Sequence, residues 1–135
     1  MAQRGGTRGL TAALVCVIGF GITGCGRTAP AASVHVSWRL EPSPPIVGTP
    51  IVAHLTLRDA DNQPVNGARL RLEGVMSHPG MAPVVAAVAE RGNGDYEAPL
   101  QFTMAGDWIL IVTGELADGR PIAQQIEING VRPAS

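Results

Sequence analysis

Apolar and polar residues alternate with a period of two along most of this 135-residue chain. The alternation is clearest at residues 34–40, 51–57, 68–72 and 96–102, where every second residue is apolar. Successive residues of a β-strand point to opposite faces of a sheet, so this period predicts strands with one buried face. A helix would need apolar residues recurring about every 3.6 positions, and these segments do not show that pattern.

Segments rich in proline, glycine, asparagine and aspartate separate the strands, as at residues 42–45, 59–64, 92–95 and 118–119. Such residues favour turns and hairpins. Residues 83–91 predict a strand of small residues, 108–113 a central strand buried on both faces, and 122–128 a weaker last strand. About seven short strands without an amphipathic helix predict an all-β, immunoglobulin-like β-sandwich, preceded by a signal segment.

Two further features refine this fold expectation. The segment from Gly94 to Tyr96 looks like the tyrosine corner of immunoglobulin-like domains. Ala98 then stands where an antibody domain has its second cysteine, so we expect no disulfide there. Trp38 and Trp108 are expected in the core.

The first 24 residues differ in character from the rest and predict a signal peptide. Arg4 and Arg8 form a positive start, and residues 10–22 are apolar or small, which is too short to span a bilayer comfortably. The sequence Ile-Thr-Gly-Cys that ends at Cys25 resembles a bacterial lipobox, in which the cysteine is lipidated and becomes the first mature residue. The alternatives are an ordinary signal peptide cut elsewhere and an uncleaved anchor helix.

This interpretation divides the chain into four parts: a signal peptide at 1–24, the lipidated Cys25 with a flexible tether at 25–33, the sandwich at 34–130 and a tail at 131–135. Several acyl chains on one cysteine would anchor the protein stably to a bacterial membrane, on the periplasmic face or at the cell surface. Cys16 would leave with the signal peptide, so the mature domain would hold no free thiol.

Composition excludes several classes of function. Ten arginines and no lysine face eleven acidic residues, a net charge of -1, so no basic surface for nucleic acid is expected. The chain has no nucleophile elbow, no phosphate-binding glycine loop and no His-x-x-x-His pair. We therefore expect a binding protein and no enzyme.

The chemically unusual residues are three methionines and one histidine at turns: Met76, His78, Met81 and Met104. The residue before a proline is extended, which places Met76 and His78 on one side of the chain. Pro-Gly at 79–80 fits a type II turn, which brings the Cα atoms of His78 and Met81 within about 7 Å. Met104 ends another strand and is expected at the same end of the sandwich.

Thioether and imidazole donors without a thiolate or carboxylate favour a soft ion, and Cu(I) fits best. The sequence therefore predicts Cu(I) as a cofactor, held by Met76, His78, Met81 and Met104. The structural alternative is that the methionines cap one end of the sandwich and that His78 bonds a loop carbonyl. His35 and His54 lie on the polar side of their alternations, where solvated surface residues are expected. If their strands pair, the two could be neighbours and make a second, weak metal site.

Residues 67–68, 76–83, 94–96 and 104–108 together resemble the YtkA-like/FixH-like family, and the resemblance covers about residues 34–128. It implies an extracytoplasmic immunoglobulin-like domain linked to cytochrome oxidase assembly and copper handling, with a membrane protein or oxidase-assembly factor as partner. Two other functions stay open. One is a metal-free interaction lipoprotein that docks on a membrane or envelope complex, and the other is an accessory domain of an efflux or transport system.

Overall fold

The computed structural model describes residues 33–76, 78 and 80–135, and the secondary structure of this part is all β. The predicted signal peptide, Cys25 and most of the predicted tether lie outside the described residues. Within the described ranges, no helix is long and apolar enough to cross a membrane.

Eight strands form two antiparallel sheets. The strands are β1 (His35–Glu41), β2 (Pro50–Arg58), β3 (Arg69–Met76), β4 (Val84–Ala87), β5 (Ala89–Gly92), β6 (Asp95–Gln101), β7 (Gly106–Glu115) and β8 (Pro121–Val131). One sheet has the order β1-β2-β6-β5 and the other β4-β3-β7-β8. The strands and the core described here lie between residues 34 and 132, so a chain of residues 26–135 contains the whole sandwich.

The order β1-β2-β6-β5 is that of strands A, B, E and D of an immunoglobulin constant-type domain, which confirms the predicted immunoglobulin-like sandwich. The structure has eight strands where about seven were predicted, because residues 83–91 form two. β4 pairs with β3 in one sheet and β5 pairs with β6 in the other. The chain thus changes sheets at Val88.

The core lies between the two sheets and is filled by the residues that alternation marked as apolar. On β2, Ile51, Ala53, Leu55 and Leu57 are each at most 2% exposed. The facing sheet contributes the buried Leu72, Trp108, Leu110, Val112, Ile126 and Ile128. Burial of these side chains is the main stabilising term of the fold, at about 1.5–3 kcal/mol for each large one.

Two predictions about burial are wrong. Trp108 is 1% exposed, as predicted, but Trp38 is 45% exposed, because β1 is an edge strand and its inward side opens at the rim of the sandwich. β7 is central in its sheet, yet it is buried on one face only. Its outward residues Ile109 and Ile111 are half-exposed, since no layer among the described residues covers that face.

Tyr96 joins the two sheets, but it does not form the predicted tyrosine corner. Its hydroxyl donates to the carbonyl oxygen of Val65 at 2.8 Å and accepts from the N–H of Ala68 at 3.1 Å, both in the connection between β2 and β3. The residue lies on β6, the strand E position, whereas the corner belongs to strand F. Ala98 pairs with Ala53 within one sheet, so it is not at the inter-sheet disulfide position.

Removing this hydroxyl should destabilise the fold. In Tyr96→Phe the Val65 carbonyl and the Ala68 N–H lose their partner, which should lower the free energy of unfolding by about 1–3 kcal/mol at neutral pH. Urea unfolding of residues 26–135 measures the change.

The same variant should lose an alkaline transition. Burial raises the pKa of Tyr96, so its contribution to stability is full below about pH 10 and declines as pH rises through the folded pKa. The chain has one tyrosine and no lysine, so few other groups titrate there. Tyr96→Phe should abolish this decline in stability. Phe102→Leu is the control: it removes core volume but keeps the Tyr96 hydroxyl, so it should retain the decline. An unchanged decline in Tyr96→Phe would show that another group causes it.

Candidate metal site at the Met tip

The end of the sandwich that carries Met76, His78, Met81 and Met104 is called the Met tip here. β3 ends there at Met76, and β7 begins there at Gly106 after the connection from β6 that includes Met104. In the β3–β7 register, the Cα of Met76 lies opposite that of Trp108. The pairing of these two strands therefore brings the segment of Met76 next to the segment of Met104.

Trp108 fixes the backbone that carries Met104. The indole Nε1–H donates to the carbonyl oxygen of Met104 at 3.0 Å, while the ring itself is buried and packs on Phe102 with centroids 5.1 Å apart. The Met104 side chain is nonetheless 45% exposed. The result is a thioether that faces solvent on an anchored main chain.

Met76 packs on the core side of the Met tip. Its side chain is partly buried against the core. A Cβ added to Gly106 would lie 3.3 Å from the Met76 Cε, so the methyl group packs against the backbone two residues beyond Met104. Gly106 has φ +117°, a conformation that side-chain-bearing residues rarely adopt. Both the space and the backbone conformation therefore favour glycine beside Met76.

His78 and Met81 lie on the connection between β3 and β4, and both are exposed. Gly80 between them has φ +88°, as the predicted type II turn requires at its third position. Ser77 and Pro79 lie outside the described residues. The convergence of the His78 imidazole with the methionine sulfurs remains a prediction. The structure shows that the segment of Met76 lies next to the segment of Met104.

Strands β1 and β2 pair, but the pairing does not make His35 and His54 neighbours. His35 lies opposite Arg58 and His54 opposite Arg39, so the two histidines are separated by four residues along β1. His54 instead lies between two carboxylates, with Nε2 3.3 Å from Glu41 and Nδ1 3.4 Å from Glu97.

Each of those two glutamates also forms an ion pair with an arginine on the outer face of the sheet. Arg39 binds Glu41 at 2.7 Å and Arg91 binds Glu97 at 2.7 Å. The hydrogen bond from Arg39 is the largest cause that lowers the pKa of Glu41. The sequence showed these groups as alternate polar residues, but only the strand register reveals that they meet.

No three His, Cys, Asp or Glu side chains of the described residues come together as a metal centre. Near the Met tip, the carboxylate of Asp107 accepts a hydrogen bond from the N–H of Gly130 at 2.8 Å. One carboxylate oxygen of Asp107 is therefore engaged by the main chain, and the thioethers and the imidazole remain the donors that the sequence predicted.

The chain enters the domain at the opposite end. Ser33 and Val34 line a cavity with the β2–β3 connection, at residues 59–66, and the β7–β8 connection, at residues 116–120. β3 runs from that end to the Met tip over eight residues, about 26 Å. The Met tip is thus separated from the N-terminal attachment by the length of the sandwich.

With this geometry in place, comparison with known proteins identifies the family. The sequence profile of the YtkA-like domain matches residues 29–113, which includes β1 through most of β7. The chain belongs to the YtkA-like family. Among solved structures, the YtkA-like domain is similar to the crystal structure of the Lin-41 filamin domain, with a TM-score of 0.53 and 18% identity over 76% of this chain and 94% of that one. This likeness shows the shared fold alone. No curated protein matches the chain.

Proposed function

We propose that this YtkA-like protein is a lipid-anchored extracytoplasmic module that binds Cu(I) at the Met tip and buffers or delivers it. The observation that carries the proposal is the packing of the Met76 methyl group against Gly106, two residues from Met104. Two segments that are distant in sequence bring thioethers to one end of the domain, and the connection with His78 and Met81 extends from the same strand.

The donor set explains the choice of metal. Zinc sites in proteins rely on Cys, His and carboxylates, and calcium sites on oxygen ligands. The Met tip offers thioethers and one imidazole, which suit Cu(I). The only cysteines of the chain, Cys16 and Cys25, would be removed with the signal peptide or lipidated, so no thiolate would compete for the metal.

Exposure of the donors favours transfer over catalysis. Met81 is 36% exposed and Met104 45% exposed. An incoming partner can therefore replace these thioethers one at a time, while the more buried Met76 keeps its position. This is the behaviour of a copper chaperone or buffer, and it suits a role in oxidase assembly or copper homeostasis.

The position of the anchor determines which partner can reach the metal. The chain enters the sandwich at the end opposite the Met tip. A lipid on Cys25 would therefore direct the Met tip away from its own membrane. The partner we propose is a membrane protein or assembly factor with a copper-accepting domain that extends from the membrane.

Copper binding is tested with residues 26–135 titrated with Cu(I) against a competing chelator without oxygen. The variant M76L/H78A/M81L should bind at least about tenfold more weakly, since it retains one of four donors and each tenfold loss costs only about 1.4 kcal/mol. Met104→Leu alone should weaken binding by a smaller factor.

His35→Ala is the matched control, because His35 is also exposed and lies outside the Met tip. It should leave the affinity unchanged. Equal affinity of the wild type and the triple variant would rule out the copper site, and thermal unfolding of each variant establishes that the sandwich is intact.

The lipid anchor is tested by labelling cells that express the full chain with a fatty acid. Cys25→Ser should abolish both the label and membrane association, because the acyl chains attach to this sulfur. Cys16→Ser is the matched control and should retain the label, as Cys16 would leave with the signal peptide. A labelled Cys25→Ser protein would contradict the lipobox interpretation.

A metal-free interaction lipoprotein is the second candidate function. It is favoured by the exposure of Met81 and Met104, since flexible thioether side chains adapt to apolar partner surfaces. In this case a partner captured from copper-depleted cells should be retained by the wild type and lost by Met81→Asp. Capture that depends on copper would favour the first function.

A further inference from the structure

The outer face of the sheet β4-β3-β7-β8 carries an apolar patch on the side away from the core. Its members are Val75 on β3, Val85 on β4, and Ile109 and Ile111 on β7. Val85 is 49% exposed and the other three are half-exposed. Patches of adjacent apolar residues on a sheet face mark interaction surfaces, whereas single exposed apolar residues need no explanation.

Two neighbouring rows of outward residues cross this face over β4, β3 and β7. By register the rows are Val85, Glu73 and Ile111, and then Ala87, Arg71 and Thr113. Each row has one charged residue at its centre, and the two charges are of opposite sign. The face therefore has an acidic row directly beside a basic row.

The two central charges have no ion-pair partner among the described residues. The next outward residue of β3, Arg69, does have one, since its guanidinium lies 2.9 Å from Glu115. Arg71 and Glu73 are thus available to another molecule at the middle of an apolar patch. A surface that combines these features should prefer a partner with the same two charges in reversed order.

We infer that this face binds a second copy of the same chain. A twofold axis between two such faces relates the two copies. The axis is perpendicular to the strands and passes midway between Arg71 and Glu73. It places Arg71 of each copy opposite Glu73 of the other, and stacks each Glu73 row on the other copy's Arg71 row. Ile111 then packs on Thr113 and Val85 on Ala87. In the flanking rows Val75 lies over Arg69 and Ile109 over Glu115, so no like charges meet. A twofold contact of this kind is self-complementary.

The size of the face limits the area that a dimer can bury. Four strands about 4.8 Å apart and four outward rows make a face of roughly 20 Å by 20 Å. Two such faces cover roughly 800 Å² in total, at the small end of protein interfaces, where weak and transient contacts lie. We therefore expect a weak and reversible dimer, with a dissociation constant in the micromolar to millimolar range.

This inference does not depend on the copper proposal. The twofold axis places the Met tips of the two copies at opposite ends of the dimer, so neither tip is covered by the other copy. In a pair anchored to one membrane, one copy keeps its Met tip directed outward and the other copy is inverted. A tether of eight residues from Gly26 to Ser33 reaches about 27 Å at most, close to the length of β3, which is just long enough for the inverted copy.

The test is a charge exchange, followed by sedimentation equilibrium of residues 26–135 from about 10 μM to 1 mM. Wild type should pass from monomer to dimer over this range. Arg71→Glu and Glu73→Arg should each weaken the dimer about tenfold or more, since each converts two attractive contacts into two repulsive ones. The double variant R71E/E73R should restore dimerisation to within about threefold of wild type, because both contacts become attractive again.

Arg58→Glu, on the outer face of the other sheet, is the control and should leave the dimer unchanged. Circular dichroism establishes that each variant is folded. A wild type that is monomeric at 1 mM overturns the inference, and so does a double variant that is as weak as the single variants. Cu(I) affinity is measured in parallel and should be unaffected by all of these changes, so failure of the dimer is distinguishable from failure of the copper site.

Discussion

The antiparallel register between β3 and β7 determines what the Met tip contains. It places Met76 opposite Trp108, and the buried Trp108 in turn holds the backbone of Met104. The register itself is set by the inward residues of the two strands, such as Leu72 opposite Val112, both at most 1% exposed. A slip of one residue would turn every inward side chain outward. Core packing at the centre of the sheet thus fixes the position of a methionine at its end.

The strands could be predicted from the sequence where apolar and polar residues contrast strongly. On β2, the alternation that begins at Ile51 identified both the strand and its buried face correctly. Residues 83–91 lack this contrast because alanine and valine dominate, so the change of sheet at Val88 was not visible. The pairing of the strands could not be predicted either, because alternation gives the face of a residue but not its neighbour on the adjacent strand. The position of His54 between two carboxylates and the placement of Tyr96 on the strand E position depend on pairing.

The exposure of residues at the edges of the sandwich was the second property that the sequence did not predict. Alternation assigns Trp38 to the inward side of β1, and this is correct, but inward means buried only where the opposite sheet covers the residue. At the edge strand the indole is 45% exposed. The converse holds on β7, where Ile109 and Ile111 are apolar without being covered. These two apolar side chains lie on an uncovered face of the sheet. Contact with a second molecule therefore explains them better than core packing does.

The candidate site divides in the same way into a local and a non-local part. The turn at Gly80 follows from the Pro-Gly pair, so sequence alone predicts its positive φ. The approach of Met76 to Gly106 depends on two strands meeting, and no local rule predicts it. On the copper proposal this division has a functional consequence. The non-local contact holds one donor in a fixed position, whereas the turn presents His78 and Met81 to solvent, where they can be replaced during transfer. A metal site built wholly from the turn would lack the fixed donor, and one built wholly from the core would exchange its metal slowly.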